Sequence, residues 1–234
     1  PLNYVGILIW FIVIQRRMMN SWKYILWDWN GTILDDFDYN YNIINTLLAT
    51  RNLPQVSVEK YRTVFCFPIK EFYKKIGFNC EPTEYYRLVA DYQQAYEAGI
   101  NKIKITKGIY ETIKMLHLLK IKQIIFSSCN KLIIQHQLPL YNDLSSYIDE
   151  IVAQDNDLAV GKEALTIRWG EKTKISWKDV LVVGDIYYNQ KVANNLGCEC
   201  ILISSGHQLL EQKENLSVCD SVSELFEKIM ARYC

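Results

Sequence analysis

The sequence predicts an α/β fold, in which helices cover both faces of a parallel sheet and a block of helices is inserted near the start of the chain. Two observations lead to this prediction. Short apolar runs of strand length recur along the chain, and helical patterns separate them. The stretch 37–104 interrupts this alternation, because it contains helical patterns and no convincing strand. Strands that alternate with helices indicate parallel pairing with right-handed crossovers.

Five apolar runs predict the strands of the sheet. They are rich in β-branched and aliphatic residues, and they are continuous rather than alternating with polar residues, which is typical of strands buried on both faces. The runs are 24–27 (YILW), 123–127 (QIIFS), 150–153 (EIVA), 179–185 (DVLVVGD) and 198–204 (CECILIS).

Helical periodicity predicts the elements between these strands. Gly197 is expected to close one helix, and Ser221 is expected to cap the start of the last one. We interpret a stripe of Tyr, Leu and Val at helical spacing in 82–99 as packing between helices. The helical segments are 106–120, 189–198 and 221–233 in the core, and 41–52, 57–65, 68–78 and 82–99 in the inserted block.

The composition limits the classes of partner and the compartment. Half of the 234 residues are apolar or aromatic, which suffices for one domain with a large insertion or for two small domains. Lys plus Arg and Asp plus Glu each number 26, so no basic excess favours nucleic acid or an anionic membrane surface as a partner. The seven cysteines include no CxxC pair, which indicates reduced thiols and a cytoplasmic protein.

The start of the chain contains an uncharged apolar run at residues 4–14. This run is shorter than the roughly 20 residues of a membrane-spanning helix, and it lacks the flanking features of a signal peptide. We expect residues 1–20 to be a leader or apolar segment outside the fold, with a native start at Met18 or Met19. The alternative is association with a membrane through residues 4–14.

Polar side chains end three of the predicted strands, at the edge where open parallel sheets bind their ligands. Asp28, Ser127 and Asp185 end three apolar runs, and Lys162 starts a helix after the 150–153 run. Carboxylates can hold Mg²⁺, while a hydroxyl and an ammonium group can bind phosphoryl oxygens. A carboxylate can also act as a nucleophile. This set of side chains therefore predicts phosphoryl chemistry.

The motifs around these residues resemble the haloacid dehalogenase superfamily of phosphatases. They are DWNGT followed by ILDD (28–36), IIFSS (124–128), GK (161–162) and VVGDIYYNQKVANNLGC (182–198). The resemblance implies a Rossmann-like core of residues 21–36 and 105–234 with an inserted α-helical cap of residues 37–104. This cap resembles the one in the phosphoglycolate-phosphatase-like branch. The segment ISSGHQ (203–208) resembles a segment that follows the last motif in some members of that branch.

The resemblance also implies roles for individual residues in the hydrolysis of a small phosphorylated substrate with Mg²⁺ as cofactor. Asp28 would attack phosphorus and form an aspartyl-phosphate. The implied catalytic residues are Asp28, Asn30, Ser127 and Lys162. The implied phosphate-binding residues are Thr32, Ser127, Ser128 and Lys162, and the implied metal ligands are Asp28, Asn30 through its backbone carbonyl, Asp185 and Asn189.

Two amides depart from the family pattern. Asn30 stands where the family has an aspartate that protonates the leaving group and then activates water, and an amide can do neither. The loss of a general acid typically slows a reaction by about 10²–10⁴-fold. Asn189 stands where the family has a further acid near the metal, so we expect weaker binding of Mg²⁺.

Three hypotheses are compatible with these departures. The first is a phosphatase that favours acyl or aryl phosphates, or in which Asp35, Asp36 or a cap residue replaces the missing acid. The second is a catalytically impaired relative that binds a ligand or regulates. The third is phosphonate cleavage through a cap lysine, for which the candidates are Lys70, Lys74 and Lys75. Substrate specificity should reside in residues 37–104, where no pattern identifies the substrate.

Overall fold

The computed structural model describes residues 21–211 and 215–233. The predicted segments 1–20 and 4–14 lie outside the described residues. The strands, in chain order, are β1 (Tyr24–Trp27), β2 (Leu34–Asp35), β3 (Lys104–Ile105), β4 (Lys122–Asn130), β5 (Glu150–Gln154), β6 (Val180–Gly184), β7 (Glu199–Ile203) and β8 (Val218–Cys219).

Six of the strands form one parallel sheet in the described part of the chain, in the order β5-β4-β1-β6-β7-β8. The side chains of β1 explain why its sequence is apolar throughout. Ile25 and Trp27 pack into the apolar cluster on one face of the sheet, while Leu26 packs into the cluster on the other face. Because both faces are covered, every side chain of a central strand needs an apolar neighbour. The prediction of an α/β fold with a parallel sheet is confirmed.

Helices cover both faces of this sheet and form the inserted block. Gly197 ends one of them with a φ of 74°, and the Ser221 side chain accepts a hydrogen bond from the Glu224 N–H at the start of the last. The α-helices of the described residues are α1 (Phe37–Thr50), α2 (Val58–Val64), α3 (Ile69–Lys75), α4 (Pro82–Glu97), α5 (Ile109–Leu118), α6 (Lys131–Gln137), α7 (Glu163–Thr173), α8 (Tyr187–Leu196) and α9 (Val222–Met230).

The helical insertion, residues 37–104, contains α1 to α4 and follows the short strand β2. β2 pairs antiparallel with β3, so that the chain leaves the core and returns to it at neighbouring points. The expectation that 37–104 contains no strand is wrong at Lys104, the first residue of β3. A strand of two residues is too short to produce a periodic pattern.

The length and composition of the described helices bear on whether any of them could cross a membrane. Within residues 21–211 and 215–233, none combines the length and the apolar character of a membrane span. The predicted alternative of membrane association through residues 4–14 concerns a segment outside these ranges.

Candidate active site

A cavity of about 120 Å³ lies between the carboxyl ends of the strands and the helical insertion. Asp28 follows β1, Asp185 follows β6, and Lys162 lies directly before α7. Ser127 belongs to the part of β4 where the regular register with β5 is interrupted. These four side chains line the cavity together, although they are far apart in sequence. The two carboxylates, the hydroxyl and the ammonium group that were predicted to meet at the strand ends therefore lie at one edge of the sheet.

Asp28 and Lys162 form a buried ion pair at this edge. The distance from Lys162 Nζ to Asp28 Oδ1 is 2.7 Å, and their side chains are only 2% and 9% exposed. Burial lowers the pKa of Lys162, and the charge and hydrogen bond of Asp28 oppose this effect. The Trp29 N–H also donates to Asp28 Oδ1, at 2.9 Å. The carboxylate is consequently held in one orientation at the end of β1.

Asn189 holds the other oxygen of Asp28. Its Nδ2 donates to Asp28 Oδ2 at 2.7 Å, while its Oδ1 accepts a hydrogen bond from the Ile186 N–H at 3.2 Å. Asn189 is fully buried and does not belong to the lining of the cavity. The oxygen that would have served as a metal ligand thus accepts the N–H of Ile186, the residue before α8, and the side chain orients Asp28.

Asp185 is held by the loop that follows β1 and by residue 207. The Thr32 hydroxyl donates to Asp185 Oδ1 at 3.3 Å, and the His207 N–H donates to Asp185 Oδ2 at 2.7 Å. Gly31 has a φ of 71°, and a Cβ added there would lie 2.2 Å from Asp185 Oδ2. Thr32 is fully buried outside the cavity lining, so its hydroxyl supports Asp185 instead of facing a phosphate.

Ser127 and Ser128 both line the cavity and are both buried. The Ser127 Oγ accepts a hydrogen bond from the Cys129 N–H at 3.0 Å. The Ser128 Oγ has no hydrogen-bond partner among the described residues. A buried hydroxyl without a partner costs about 1–3 kcal/mol, and an oxygen-rich ligand such as phosphate would satisfy it. Both serines therefore lie where the sequence predicts phosphate binding.

Asn30 lines the cavity, and its side chain is tied to Asp36 and to the insertion. Its Nδ2 lies 2.6 Å from Asp36 Oδ2 and 3.0 Å from the Tyr96 hydroxyl. Asp36 Oδ1 also accepts the Gly31 N–H at 2.8 Å, and Asp36 Oδ2 accepts Asn40 Nδ2 at 2.7 Å. Asp36 is fully buried and outside the cavity lining, and Asp35 is exposed on β2. Neither acid occupies the place of the missing proton donor.

His207 is a cavity residue that the sequence did not identify as part of the site. It is buried, it lines the cavity, and its Nε2 lies 3.1 Å from Asp36 Oδ1. Burial opposes the charged imidazolium, but the charges of Asp36, Asp185 and Asp28 outweigh burial and raise the pKa of His207. Its Nδ1 lies 3.2 Å from the Tyr61 hydroxyl of α2. His207 therefore links the edge of the sheet to the insertion. In the sequence, the segment ISSGHQ (203–208), which contains His207, was the available indication of such a role.

The contact with His207 also changes the pKa of Asp36. Burial favours its protonated form, but the charge of His207 and hydrogen bonds from His207, Asn30 and Gly31 hold the pKa of Asp36 below its ordinary value. Both pKa shifts favour an imidazolium at His207 paired with a carboxylate at Asp36. An ionised carboxylate has no proton to give to a leaving group.

The donor set at the sheet edge fits a hard divalent cation. Asp28 and Asp185 are both buried and line the same cavity, and burial together with the charge of Asp28 raises the pKa of Asp185 to about 6, although His207 opposes this. A cation beside Asp185 would stabilise its ionised form. No group of three or more His, Cys, Asp or Glu suited to a metal occurs among the described residues. Mg²⁺ is commonly bound by one or two carboxylates and substrate oxygens.

The candidate lysines for phosphonate cleavage lie elsewhere. Lys74 pairs with Glu71 at 2.8 Å on the surface, Lys75 contacts Cys66, and Lys70 lies over the ring of Tyr85. None of the three belongs to the cavity lining. The geometry gives no support to a Schiff base formed by one of them.

Comparison with known proteins agrees with this arrangement. The chain is similar to a protein described as a predicted phosphatase from Clostridium acetobutylicum (TM-score 0.75, 22% identity, 90% of this chain and 99% of that chain). It is similar to a predicted phosphoglycolate phosphatase from Haemophilus somnus 129pt (TM-score 0.72, 17% identity, 90% and 99%). It is also similar to CbbY from Rhodobacter sphaeroides in complex with phosphate (TM-score 0.69, 15% identity, 88% and 96%).

These identities establish a shared fold. No curated protein sequence matches the chain. The sequence profile of the haloacid dehalogenase-like hydrolases, in contrast, matches residues 25–203, which include the four side chains at the sheet edge. The resemblance found in the motifs is thus confirmed, and the chain belongs to the haloacid dehalogenase-like hydrolase family.

Proposed function

We propose that this protein is a Mg²⁺-dependent phosphatase that hydrolyses small phosphate monoesters through an aspartyl-phosphate on Asp28. One observation carries the proposal. The Asp28 carboxylate and the Lys162 ammonium lie 2.7 Å apart in a cavity that also contains Ser127 and the unpartnered hydroxyl of Ser128. A nucleophile beside a cation and hydroxyl donors is the arrangement that phosphoryl transfer requires.

The residues of the chain divide the chemistry between them. Asp28, oriented by Asn189 and by the Trp29 N–H, attacks phosphorus. Lys162 balances the charge of the nucleophile and of the phosphoryl oxygens, and Ser127 and Ser128 donate hydrogen bonds to those oxygens. Water then cleaves the aspartyl-phosphate and regenerates Asp28. Of the predicted set, we assign Thr32 and Asn189 to positioning.

Asp28, Asp185 and the backbone carbonyl of Asn30 would hold Mg²⁺. When bound, the cation neutralises charge on the phosphoryl group and polarises it for attack. The neutral amide of Asn189 leaves the site with one negative charge fewer than a carboxylate at that position would supply. We therefore expect the affinity for Mg²⁺ to be modest.

The helical insertion serves as the cap that closes the cavity and selects the substrate. Tyr96 reaches Asn30, Tyr61 reaches His207, and Gln208 Nε2 donates to the Phe65 carbonyl at 2.7 Å. These contacts seat residues 37–104 over the sheet edge and exclude water from the nucleophile. The core in this assignment comprises 21–36 and 105–234.

A catalytically impaired binding or regulatory protein is the second candidate. Asn30 favours this candidate because its amide supplies no proton to a leaving group. The amide is also engaged in a hydrogen bond, in which Asn30 Nδ2 donates to Asp36 Oδ2 at 2.6 Å. Such a protein would bind a phosphorylated ligand through Lys162 and the serines without turning it over. Its test is the affinity for inorganic phosphate in the absence of any turnover.

The decisive experiment measures phosphate release from phenyl phosphate, with MgCl₂ or with EDTA. Asp28→Asn removes the nucleophile and is nearly isosteric, whereas Asp35→Asn makes the same change at an exposed acid outside the cavity. We expect activity that needs Mg²⁺, is lost in Asp28→Asn and is kept in Asp35→Asn. Phosphate binding without hydrolysis by the wild type would instead establish the second candidate.

A further inference from the structure

The part of the cavity contributed by the insertion is mainly apolar and aromatic, and Asn40 and Gln93 are its amide side chains. Its walls include Phe65, Phe67, Ile69, Phe72, Val89 and Tyr92. Phe65 and Phe72 have ring centroids 4.9 Å apart, so these rings form a packed surface. A leaving group attached to a phosphate on Asp28 would therefore extend into an aromatic environment.

This wall offers no cation to a second negative charge on the substrate. Lys162 is the sole Lys or Arg among the described residues that line the cavity, and it is engaged by Asp28. His207 faces Asp36, and Asp157 adds a carboxylate to the lining. Burying a carboxylate or a second phosphate there would remove its hydration without supplying a partner. The leaving group that fits is uncharged.

The size of the cavity restricts the leaving group further. The whole cavity has a volume of about 120 Å³, which is below the about 150 Å³ of an apolar cavity that holds one benzene molecule, and the phosphoryl group takes up part of it. The volume therefore sets a single ring as the upper limit for the leaving group, whereas a nucleoside is far larger. A compact aromatic group thus agrees with both the lining and the volume.

The missing proton donor points to the same chemistry by an independent route. Asn30 cannot protonate a leaving oxygen, and Asp36 lies outside the cavity lining. His207 lines the cavity, but both of its ring nitrogens are engaged, Nε2 by Asp36 and Nδ1 by the Tyr61 hydroxyl. An alcohol needs such a proton in order to leave, but a phenol, with a pKa of about 10 like that of tyrosine, departs readily as its anion. Activity with this site depends on a leaving group that tolerates its negative charge.

We infer that the substrates are monophosphates of uncharged, single-ring phenols, an inference that rests on the proposed phosphatase function. As Asp28 forms its bond to phosphorus, the bond from phosphorus to the aryl oxygen breaks. Its electron pair leaves with the phenoxide, which takes a proton from solvent. Water then attacks phosphorus, the bond to Asp28 breaks, and the products are a phenol and inorganic phosphate.

Three phosphates test the inference on the wild-type protein through kcat/KM with MgCl₂. Phenyl phosphate is compared with cyclohexyl phosphate, which has a similar ring but an alcohol as leaving group, and with 4-carboxyphenyl phosphate, which adds a negative charge. We expect phenyl phosphate to exceed cyclohexyl phosphate by about 10²-fold or more, and to exceed 4-carboxyphenyl phosphate by about tenfold. Values within threefold of one another would overturn the inference while leaving the phosphatase proposal intact. Absence of hydrolysis of all three would overturn the phosphatase proposal itself.

A variant of the wall tests the charge argument separately. Ile69 lines the cavity at the start of α3 and is half-buried, so a lysine there can reach the cavity while remaining partly hydrated. Ile69→Lys should raise 4-carboxyphenyl relative to phenyl phosphate by about tenfold, the effect of roughly 1.4 kcal/mol of charge pairing. Ile69→Gln, of similar length but neutral, should leave the ratio unchanged. An unchanged ratio in Ile69→Lys, with its circular dichroism intact, would contradict the assignment of this wall to the leaving group.

Discussion

Replacing Asn30 by aspartate should place two buried carboxylates in contact. In the wild type, Asn30 Nδ2 lies 2.6 Å from Asp36 Oδ2, and that oxygen also accepts hydrogen bonds from Asn40 and Tyr96. Asn30→Asp converts the donor into a second acceptor with a negative charge. The change restores the acid of the family pattern, but the neighbouring Asp36 is placed to accept a hydrogen bond from an amide at position 30.

The magnitude follows from the separation of the charges. Two carboxylates about 4 Å apart repel by about 4 kcal/mol at an effective dielectric constant near 20, which equals a shift of about three pKa units. The folded pair would then hold a proton up to about pH 7, whereas the unfolded pair releases it near pH 4. Because the folded pKa is raised, the relative stability is greatest at low pH and falls as the pH rises through this window. We expect a loss of unfolding free energy of about 4 kcal/mol at pH 8 and about 1.5 kcal/mol at pH 5.

Urea unfolding at pH 5 and pH 8 without Mg²⁺ measures this penalty. The double variant Asn30→Asp/Asp36→Asn exchanges the amide and the carboxylate, so its stability should depend on pH much less than that of Asn30→Asp. The single variant should also hydrolyse cyclohexyl phosphate about 10²–10⁴-fold faster than the wild type near pH 6, since the shared proton is available to the leaving group. Equal stability of Asn30→Asp and the wild type at pH 8 would refute the reasoning, because the contact with Asp36 would then not constrain position 30.

Three further predictions concern the same site. Lys162→Met leaves Asp28 buried without its cation and should lower the free energy of unfolding in urea by about 3–5 kcal/mol. Adding Asp28→Asn should recover most of this loss, and no recovery would exclude the ion pair as its cause. Asn189→Asp places a carboxylate beside that of Asp28, so the melting temperature without Mg²⁺ should fall. Adding MgCl₂ should raise the melting temperature of this variant more steeply than that of the wild type, and identical responses would argue against a cation at this edge. Gly31→Ala forces a Cβ to within 2.2 Å of Asp185 Oδ2 at a φ of 71°, and should cost at least about 1 kcal/mol of stability and most of the phosphatase activity; retention of both would show that the loop adapts.

The strands and the residues at their ends were accessible from local sequence. β1 was expected at 24–27 and is found there, because a strand covered on both faces leaves a continuous apolar run. Asp28 and Asp185 end such runs, and parallel strands necessarily bring their carboxyl ends to one edge. The meeting of these side chains thus follows from topology.

The contacts behind the cavity were not accessible in this way. His207 meets Asp36, which is 171 positions away, and nothing in the sequence around either residue encodes that distance. Tyr92 and Tyr96 belong to a stripe that we interpreted as helix packing, yet both line the cavity. Helical periodicity identifies a buried face, but it does not distinguish a face packed on other helices from one that encloses a ligand.

By itself, the sequence determined the parallel sheet, the run of helices in the stretch 37–104 and the presence of carboxylates at two strand ends. These depend on short-range periodicity and on the chain order of strands. Only the tertiary structure decided that Asn189 orients Asp28 and that Asp36 accepts a hydrogen bond from the Asn30 amide. It also decided that the cavity wall from the insertion is mainly aromatic and apolar, with no lysine or arginine among its described residues. Such pairings depend on loop conformation and on the rotation of each helix about its axis, and these are set by the packing of distant segments against one another.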